Sequence, residues 1–445
     1  MAIAPVVPAA RDLTEEQHRD IERFERAIAQ YLAGEIPEDV FRVMRLNNGI
    51  YGQRQGGTNQ MVRIKLPAGT ITPEQLDLMG RLSDEYSRGW GHITTRQNVQ
   101  FHYVELTKVP EVMRELAKVG LTSREACGDT VRNVMACHLA GACPHEHLDV
   151  TPWAEAAFEH FVRNPLGQRL PRKFKINFSG CSTDCGQAMF NDAGVVATTR
   201  TLARRHHRAG LPRVHRRWPR GDPAPGAQAL EDFTSREDLL PTIEAMLRVF
   251  DQTGNRDNKL RARLKWVVDQ LGIDELRRRV LKVRHTLPAS SSLAGRHPGD
   301  RRQARRRAGR SQRGSRPPPS ARASPCRSHH ATRTSVGSPP ASCAAPPTAR
   351  CRPSPTPRSA TSRASQFRSL AAIQRELGAD VRLSNRQNVV FRGLTEAQLP
   401  TLYARLDAIG MAVPAPNCPR RRRLPRRRHL QHRRHPVARP GRRDR

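Results

Sequence analysis

Apolar residues Ile21, Phe24, Ile28 and Leu32 recur at helical spacing behind Thr14–Gln17, which has the form of a capping box. They predict a helix that ends at Gly34. Residues 47–57, NNGIYGQRQGG, read as a Gly-rich loop, and MVRIKLP (61–67) alternates as a strand with Val62, Ile64 and Leu66 on one face. Thr72-Pro73-Glu74-Gln75 opens another helix, with proline in its first turn. ITTRQNVQFHYVEL (93–106) reads as a single strand. Period-two alternation puts Arg96, Asn98, Gln100 and His102 on one face and Val99, Phe101 and Tyr103 on the other. The polar face either lines a pocket or meets solvent. A helix follows from about Pro110 to Lys118, and residues 227–288 carry two or more amphipathic helices.

This strand–helix unit occurs twice. TTRQNVQF (94–101) matches SNRQNVVF (384–391), and Arg96, Pro110 and Gly120 correspond to Arg386, Pro400 and Gly410, each 290 positions on. The apolar set Val112, Leu116, Val119 recurs as Leu402, Leu406, Ile409. The chain therefore reads as an α+β protein built from two similar halves.

Charge changes the picture only locally. The formal net charge of +36 would suggest a nucleic-acid or anionic-membrane partner if it were spread over the fold. Nearly all of it sits in three segments, 203–226, 291–366 and 416–445, which hold Arg, Pro, Ser, Ala and His but no Lys. They lack helical or strand periodicity, and Trp218 and Phe-free runs such as RRQARRRAGRSQRGSRPPPSARASP offer few rings to stack on bases. Two origins account for them: disordered basic linkers, or a GC-rich gene read out of frame, with true protein resuming near Ala227 and again near Gln366. An unbroken reading frame on resequencing would remove the second. No nucleic-acid partner is expected. MAIAPVVPAARDL shows neither a basic leader nor a long apolar run, so no membrane span and a cytoplasmic location are expected.

Candidate chemistry lies in the cysteines. Cys137 and Cys143 are spaced C-x5-C, and Cys181 and Cys185 are spaced C-x3-C. Four thiolates complete a tetrahedral metal site or ligate a cubane cluster. Structural zinc usually takes tighter pairs, and Ala140, Gly141 and Ala142 leave room for something bulkier than one ion. Buried structural thiols are the plain alternative, and Cys127 is read as one. Cys326, Cys343, Cys351 and Cys418 fall in or beside the Arg-rich segments and receive no role. Arg132 precedes Cys137, while Lys173 and Lys175 alternate on a strand that leads into Cys181. Such cations suit a small oxyanion, although each alone reads as a surface charge.

GDTVRNVMACHLAGACP (128–144), LPRKFKINFSGCSTDCGQAMFNDAG (170–194) and ITTRQNVQFH (93–102) resemble the signature blocks of the ferredoxin-type nitrite/sulfite reductase family. The resemblance implies a 4Fe-4S cluster on Cys137, Cys143, Cys181 and Cys185, with Cys185 also bridging to a siroheme iron. It assigns anion binding to Arg96, Arg132, Lys173 and Lys175, with Arg96 and Arg132 also holding siroheme. It implies six-electron reduction of sulfite to sulfide or nitrite to ammonia, with a ferredoxin-like donor. The alternative is a four-cysteine iron–sulfur or zinc module for binding or electron transfer.

The implied organisation is a ferredoxin-like half-domain (14–123), a siroheme/4Fe-4S domain (124–288, with 203–226 aberrant), a disordered segment (289–365), a fragment of a second half-domain (366–415) and a disordered tail (416–445). Departures are equally specific. The first half carries both cysteines and basic residues, whereas better-known members put the cysteines in the second. No Gly-rich siroheme segment follows residue 202, and Arg-rich sequence replaces what should follow Ala415. Poor cofactor loading and little activity are the corresponding expectation.

Overall fold

The computed structural model describes residues 12–54, 57–201, 207–210, 213–214, 228–288, 349–351 and 361–412. Thr14 caps α1 (Glu15–Leu32) through the reciprocal box with Gln17, and α2 (Glu38–Asn47) follows. The expected Gly-rich loop contains a strand, β1 (Ile50–Gly52), which pairs antiparallel with β2 (Asn59–Ile64). After β3 (Thr70–Ile71), a second capping box on Thr72 starts α3 (Pro73–Tyr86). The expected single strand over 93–106 is instead a hairpin of β4 (Trp90–Ile93) and β5 (Val99–Glu105). Thr94–Asn98 is its turn, closed by Thr94 N to Asn98 O and Gln97 N to Thr94 O, with Gln97 at φ 54°. Arg96 and Asn98 therefore do not share a strand face with Gln100 and His102. Tyr103 also leaves the expected apolar face, because at φ 62° it passes that place to the buried Val104. The helix expected near Pro110 is α4 (Val109–Lys118).

The middle of the chain is a mixed sheet backed by helices. Its elements are β6 (Met135–Ala136), α5 (Thr151–Phe161), β7 (Ile176–Ser179), β8 (Ala193–Val196), β9 (Thr198–Thr201), β10 (His207–Gly210), β11 (Arg213–Val214), β12 (Gln228–Ala229), α6 (Leu239–Thr253), α7 (Leu264–Leu271) and α8 (Ile273–Arg284). Strand order is β12-β11-β8-β7-β6, with β6, β7 and β8 parallel. The three helices account for the amphipathic periodicity of 227–288. Phe174, Phe178, Trp153, Leu247 and Phe250 lie in its core.

The repeat is structural as well as sequential. β13 (Ala349–Cys351), β14 (Thr361–Arg363), α9 (Ala364–Leu377), β15 (Asp380–Leu383), β16 (Val389–Arg392) and α10 (Leu399–Ala408) form the second copy. Its hairpin turn repeats the first, with Ser384 N to Asn388 O, Gln387 N to Ser384 O and Gln387 at φ 62°. The copies exchange strands. β14 extends the first sheet beside β4, and β3 extends the second beside β15. Their helices α3 and α9 pack closely at Gly80, where a Cβ would meet Arg368 Cγ at 2.8 Å and Ala364 O at 2.9 Å. One apolar core serves both copies, from Ile21 to Met411. Four short strands (β10, β11, β13 and β14) and the first residues of α9 also fall inside the Arg-rich segments, so those segments are not wholly without secondary structure. The other residues of those segments lie outside the described residues.

A buried ion pair joins first copy to middle domain. Lys65 and Glu125 are 2% and 1% exposed and bond at 3.2 Å. Burial pushes the Lys65 ammonium down and Glu125 pushes it back up. Glu125, at φ 60°, also accepts from Arg163 N at 2.8 Å and from Gln168. Glu125→Ala would strand a buried ammonium and is expected to cost about 3–5 kcal/mol. Urea unfolding measures this, and an unchanged midpoint would count against the pair's role.

Candidate functional site

Both cysteine pairs leave the ends of neighbouring parallel strands. β6 pairs with β7 through Met135↔Asn177 and Ala136↔Phe178, and Cys137 N donates to Phe178 O at 2.8 Å. The C-x5-C loop starts immediately after β6 and the C-x3-C loop two residues after β7. Parallel strands end on the same side of a sheet, so register alone brings the two pairs together. All four thiols are free, with Cys137 and Cys181 buried. Burial pushes the Cys137 thiol up to about 12, and Cys185, Cys143 and Cys181 all add to the rise, so four sulfurs share one neighbourhood. Cys143 is raised in the same way, by burial first and then by Cys181, Glu146 and Cys185.

The second loop is held from inside. Asp184 sits at φ 52° between Cys181 and Cys185. Its carboxylate accepts from Ser179 Oγ at 2.6 Å, Ala188 N at 2.7 Å and Met189 N at 3.1 Å. Gly186 packs where a Cβ would come within 2.3 Å of Phe178 O and 3.0 Å of Cys137 N. Gly186→Ala is therefore expected to push the two loops apart and cut bound iron severalfold while the remaining fold persists. Iron content alongside far-UV circular dichroism checks this, and full iron loading would refute it.

The basic residues lie upstream on the same two segments. Arg132 N bonds Phe174 O at 2.9 Å, which sets Arg132 beside the Lys173–Lys175 stretch. The Arg132 guanidinium donates only to the carbonyls of Ala126 (2.9 Å) and Gly128 (2.8 and 3.2 Å). Arg96 reaches in from the β4–β5 turn and donates to Asn133 O at 2.6 Å, Asn191 Oδ1 at 3.1 Å and Asn177 Oδ1 at 3.2 Å. Its Nε is cut off from water and has no partner. Among the described residues no carboxylate hydrogen-bonds to either guanidinium. Burial pushes Arg96 down to about 9 and Arg132 to about 10. Lys173 falls to about 8 by burial and then Arg132, and Lys175 to about 7 by burial and then Arg96 and Arg263. Burying unpaired cations is costly, so this cluster is built to receive negative charge.

All eight residues expected from the sequence thus fall in one region, although Arg96 arrives by a turn rather than a strand face. Others escaped the sequence. Arg263 pairs with Asp192 at 2.7 Å, and Asp192 also accepts from Lys175 N at 3.0 Å. Arg63 donates to Ala126 O at 3.1 Å. Gln97 is fully buried and exchanges two bonds with the backbone of Ala136, next to Cys137. Asn133 binds both backbone groups of Leu66 and the carbonyl of Arg96. A repeated buried-type turn, RQN, was the available signal for Gln97.

Models of two families match the chain. The nitrite and sulphite reductase 4Fe-4S domain matches residues 127–287, and the nitrite/sulfite reductase ferredoxin-like half domain matches twice, over 51–119 and 357–409. The chain belongs to the nitrite and sulfite reductase family. The double match independently places the duplication. The chain is 30% identical over 248 residues to an assimilatory ferredoxin-dependent nitrite reductase of Haloferax mediterranei, an alignment covering 52% of this chain and 42% of that one. It is 32% identical over 227 residues to the chloroplastic ferredoxin–nitrite reductase of Spinacia oleracea (50% and 37%). It is 31% identical over 220 residues to a sulfite reductase [ferredoxin] of Mycobacterium tuberculosis (49% and 38%). The chain thus spans less than half the length of these relatives. The solved structure of Mycobacterium tuberculosis NirA shares the fold, with TM-score 0.65 at 24% identity, covering 91% of this chain and 70% of that one.

The donor set fits the family's iron–sulfur group. A cubane holds its four thiolates farther apart than a single tetrahedral ion does. Among the described residues no three His, Cys, Asp or Glu side chains converge tightly enough to hold one ion. The cations that lack carboxylate hydrogen bonds among the described residues fit a negatively charged group beside the cysteine loops. Among the described residues no helix is long and apolar enough to cross a membrane.

Proposed function

We propose that this chain is a siroheme- and 4Fe-4S-dependent oxidoreductase that reduces nitrite to ammonia or sulfite to sulfide. The observation that supports the reading is the placement of four thiols and three depressed cations (Arg132, Lys173 and Lys175) on one pair of parallel segments, with Arg96 reaching the same segments from the β4–β5 turn. Cys137, Cys143, Cys181 and Cys185 would hold the cluster, and Cys185 would also help to hold siroheme. When bound, these groups supply single electrons and a metal that takes the substrate's N or S atom.

The residues of the chain do the rest. Arg132 is fixed by backbone carbonyls and Arg96 by one backbone carbonyl and two asparagine amide oxygens, so they offer charge without reorganising when the anion enters. Lys173 and Lys175 can each donate a proton to a substrate oxygen near neutral pH, because burial has lowered them into that range. Asp192 holds Arg263 and the Lys175 backbone and keeps the cluster of cations from flying apart. The electron donor is a separate ferredoxin-like protein in the cytoplasm.

The test is anaerobic purification followed by iron and sulfide analysis, an optical spectrum and oxidation of a reduced viologen with each anion. Iron with equimolar sulfide and a siroheme band, with turnover of either anion, supports the reading. Zinc without sulfide would overturn it in favour of a four-cysteine metal module.

A further inference from the structure

The two copies of the hairpin have diverged at a small set of positions. At the 290-residue offset, Trp90, His92, Thr95 and His102 correspond to Asp380, Arg382, Asn385 and Arg392. In the first copy these side chains form an aromatic patch, with Trp90 stacked on His102 at 5.3 Å and His92 6.2 Å from His102. In the second, the same cross-strand position is an ion pair, Asp380 with Arg392, and Arg382 lies 3.7 Å from Asp380.

The two arginines and Asn385 are buried against the cysteine loops, while Asp380 is half-exposed at the rim. Arg382 and Arg392 are 4% and 5% exposed. Arg392 Nη1 donates to the carbonyls of His138, at 3.3 Å, and Ala140, both inside the C-x5-C loop. Arg382 Nη1 donates to Thr151 Oγ1 at 2.8 Å, at the start of α5. Asn385 Nδ2 donates to the carbonyl of Cys185 at 2.8 Å. Arg386, the counterpart of Arg96, is exposed. The first copy delivers a cation to the anion site, whereas the second has moved its donors onto backbone carbonyls of both cysteine loops.

We propose that the second hairpin is a clamp on the cluster-binding loops, with Asn385 and Arg392 as positioning residues for Cys185 and for the Cys137–Cys143 loop. The roles of those cysteines rest on the reductase reading, but the clamp does not require a bound cluster. Loops free to wander would have to be ordered each time a cluster is built. Donors fixed by Asp380 remove that cost beforehand.

Hydrogen exchange by mass spectrometry on the full chain, prepared without added metal, tests this directly. Arg392→Met is expected to speed exchange of 137–143 about tenfold, and Asn385→Thr, which installs the first copy's residue, to do so at 181–188 alone. Helices α1 and α6 serve as folding controls. If Arg392→Met also accelerates α6, the milder Asn385→Thr decides. A second readout follows anaerobic reconstitution with ferrous iron and sulfide, where both variants should lose the cluster severalfold faster in air and Arg392→Lys should recover part of its lifetime. Unchanged exchange at both loops in folded variants would overturn the clamp. Loops protected by the clamp in a chain that takes up no iron would overturn the reductase reading and leave the clamp standing.

Discussion

Serine at any one of Cys137, Cys143, Cys181 or Cys185 should strip the bound iron and sulfide, whereas Cys127→Ser should leave both in place. The contrast follows from position rather than residue type. Cys127 is fully buried before β6, and the groups that perturb it are burial, Arg63 and Arg132, with no other thiol among them. Cys137 and Cys143, by contrast, are each raised by the other candidate ligands. Substituting residues that merely support metal ligands typically costs 10–100-fold in affinity or activity, so loss of a ligand should cut viologen-linked turnover by at least about 100-fold. Iron, sulfide and turnover measured on the same preparations check this. A Cys127→Ser variant that loses iron as fully as the others would mean the ligand set has been drawn around the wrong thiols.

What the sequence made legible was whatever depends on local order. Capping boxes at Thr14 and Thr72 fixed two helix starts, and the 290-residue offset disclosed a duplication that the exchanged strands β3 and β14 bear out. The cysteine spacings were legible because strand ends are local properties, whereas Lys173 and Lys175, expected on a strand face, lie just ahead of β7 around the isolated bridge at Phe174. The 93–106 stretch misled because its residues alternate through a turn: Gln97 pays a positive φ to seat its amide against Ala136, a contact 39 positions away. Period-two reading has no term for such a tertiary contact. Arg263, Asp192, Asn385 and Arg392 were hidden for the same reason. Each is an ordinary polar residue on its own element and acquires a role only from a partner tens to hundreds of positions distant.

Raising the pH through 7 to 8 should weaken substrate binding, and Lys175→Met should remove the lower part of that dependence. Lys175 titrates at about 7 and Lys173 at about 8 in the folded chain, both lowered by burial first and by neighbouring cations next. An incoming anion favours the ammonium forms. Binding below pH 7 therefore meets charged lysines, while above pH 8 it must first take up protons, and each such group contributes up to about tenfold in KM per pH unit. The stability consequence has the opposite sign. Because the folded lysines bind fewer protons than the unfolded chain between about 7 and their ordinary value of 10.5, folding should strengthen as pH rises through that window. Arg96→Met tests the other component of the pocket. It stays charged through most of this range, so its loss should lower kcat/KM by about 10²–10³, and because Arg96 is the neighbouring cation that most lowers Lys175, the lower limb should also move to higher pH. A flat profile in the parent chain, or one that Arg96→Met reshapes and Lys175→Met does not, would transfer the titrating role away from the lysines. A large loss with a displaced limb for Arg96→Met, against removal of the lower limb for Lys175→Met, would separate fixed charge from mobile proton within a single basic cluster.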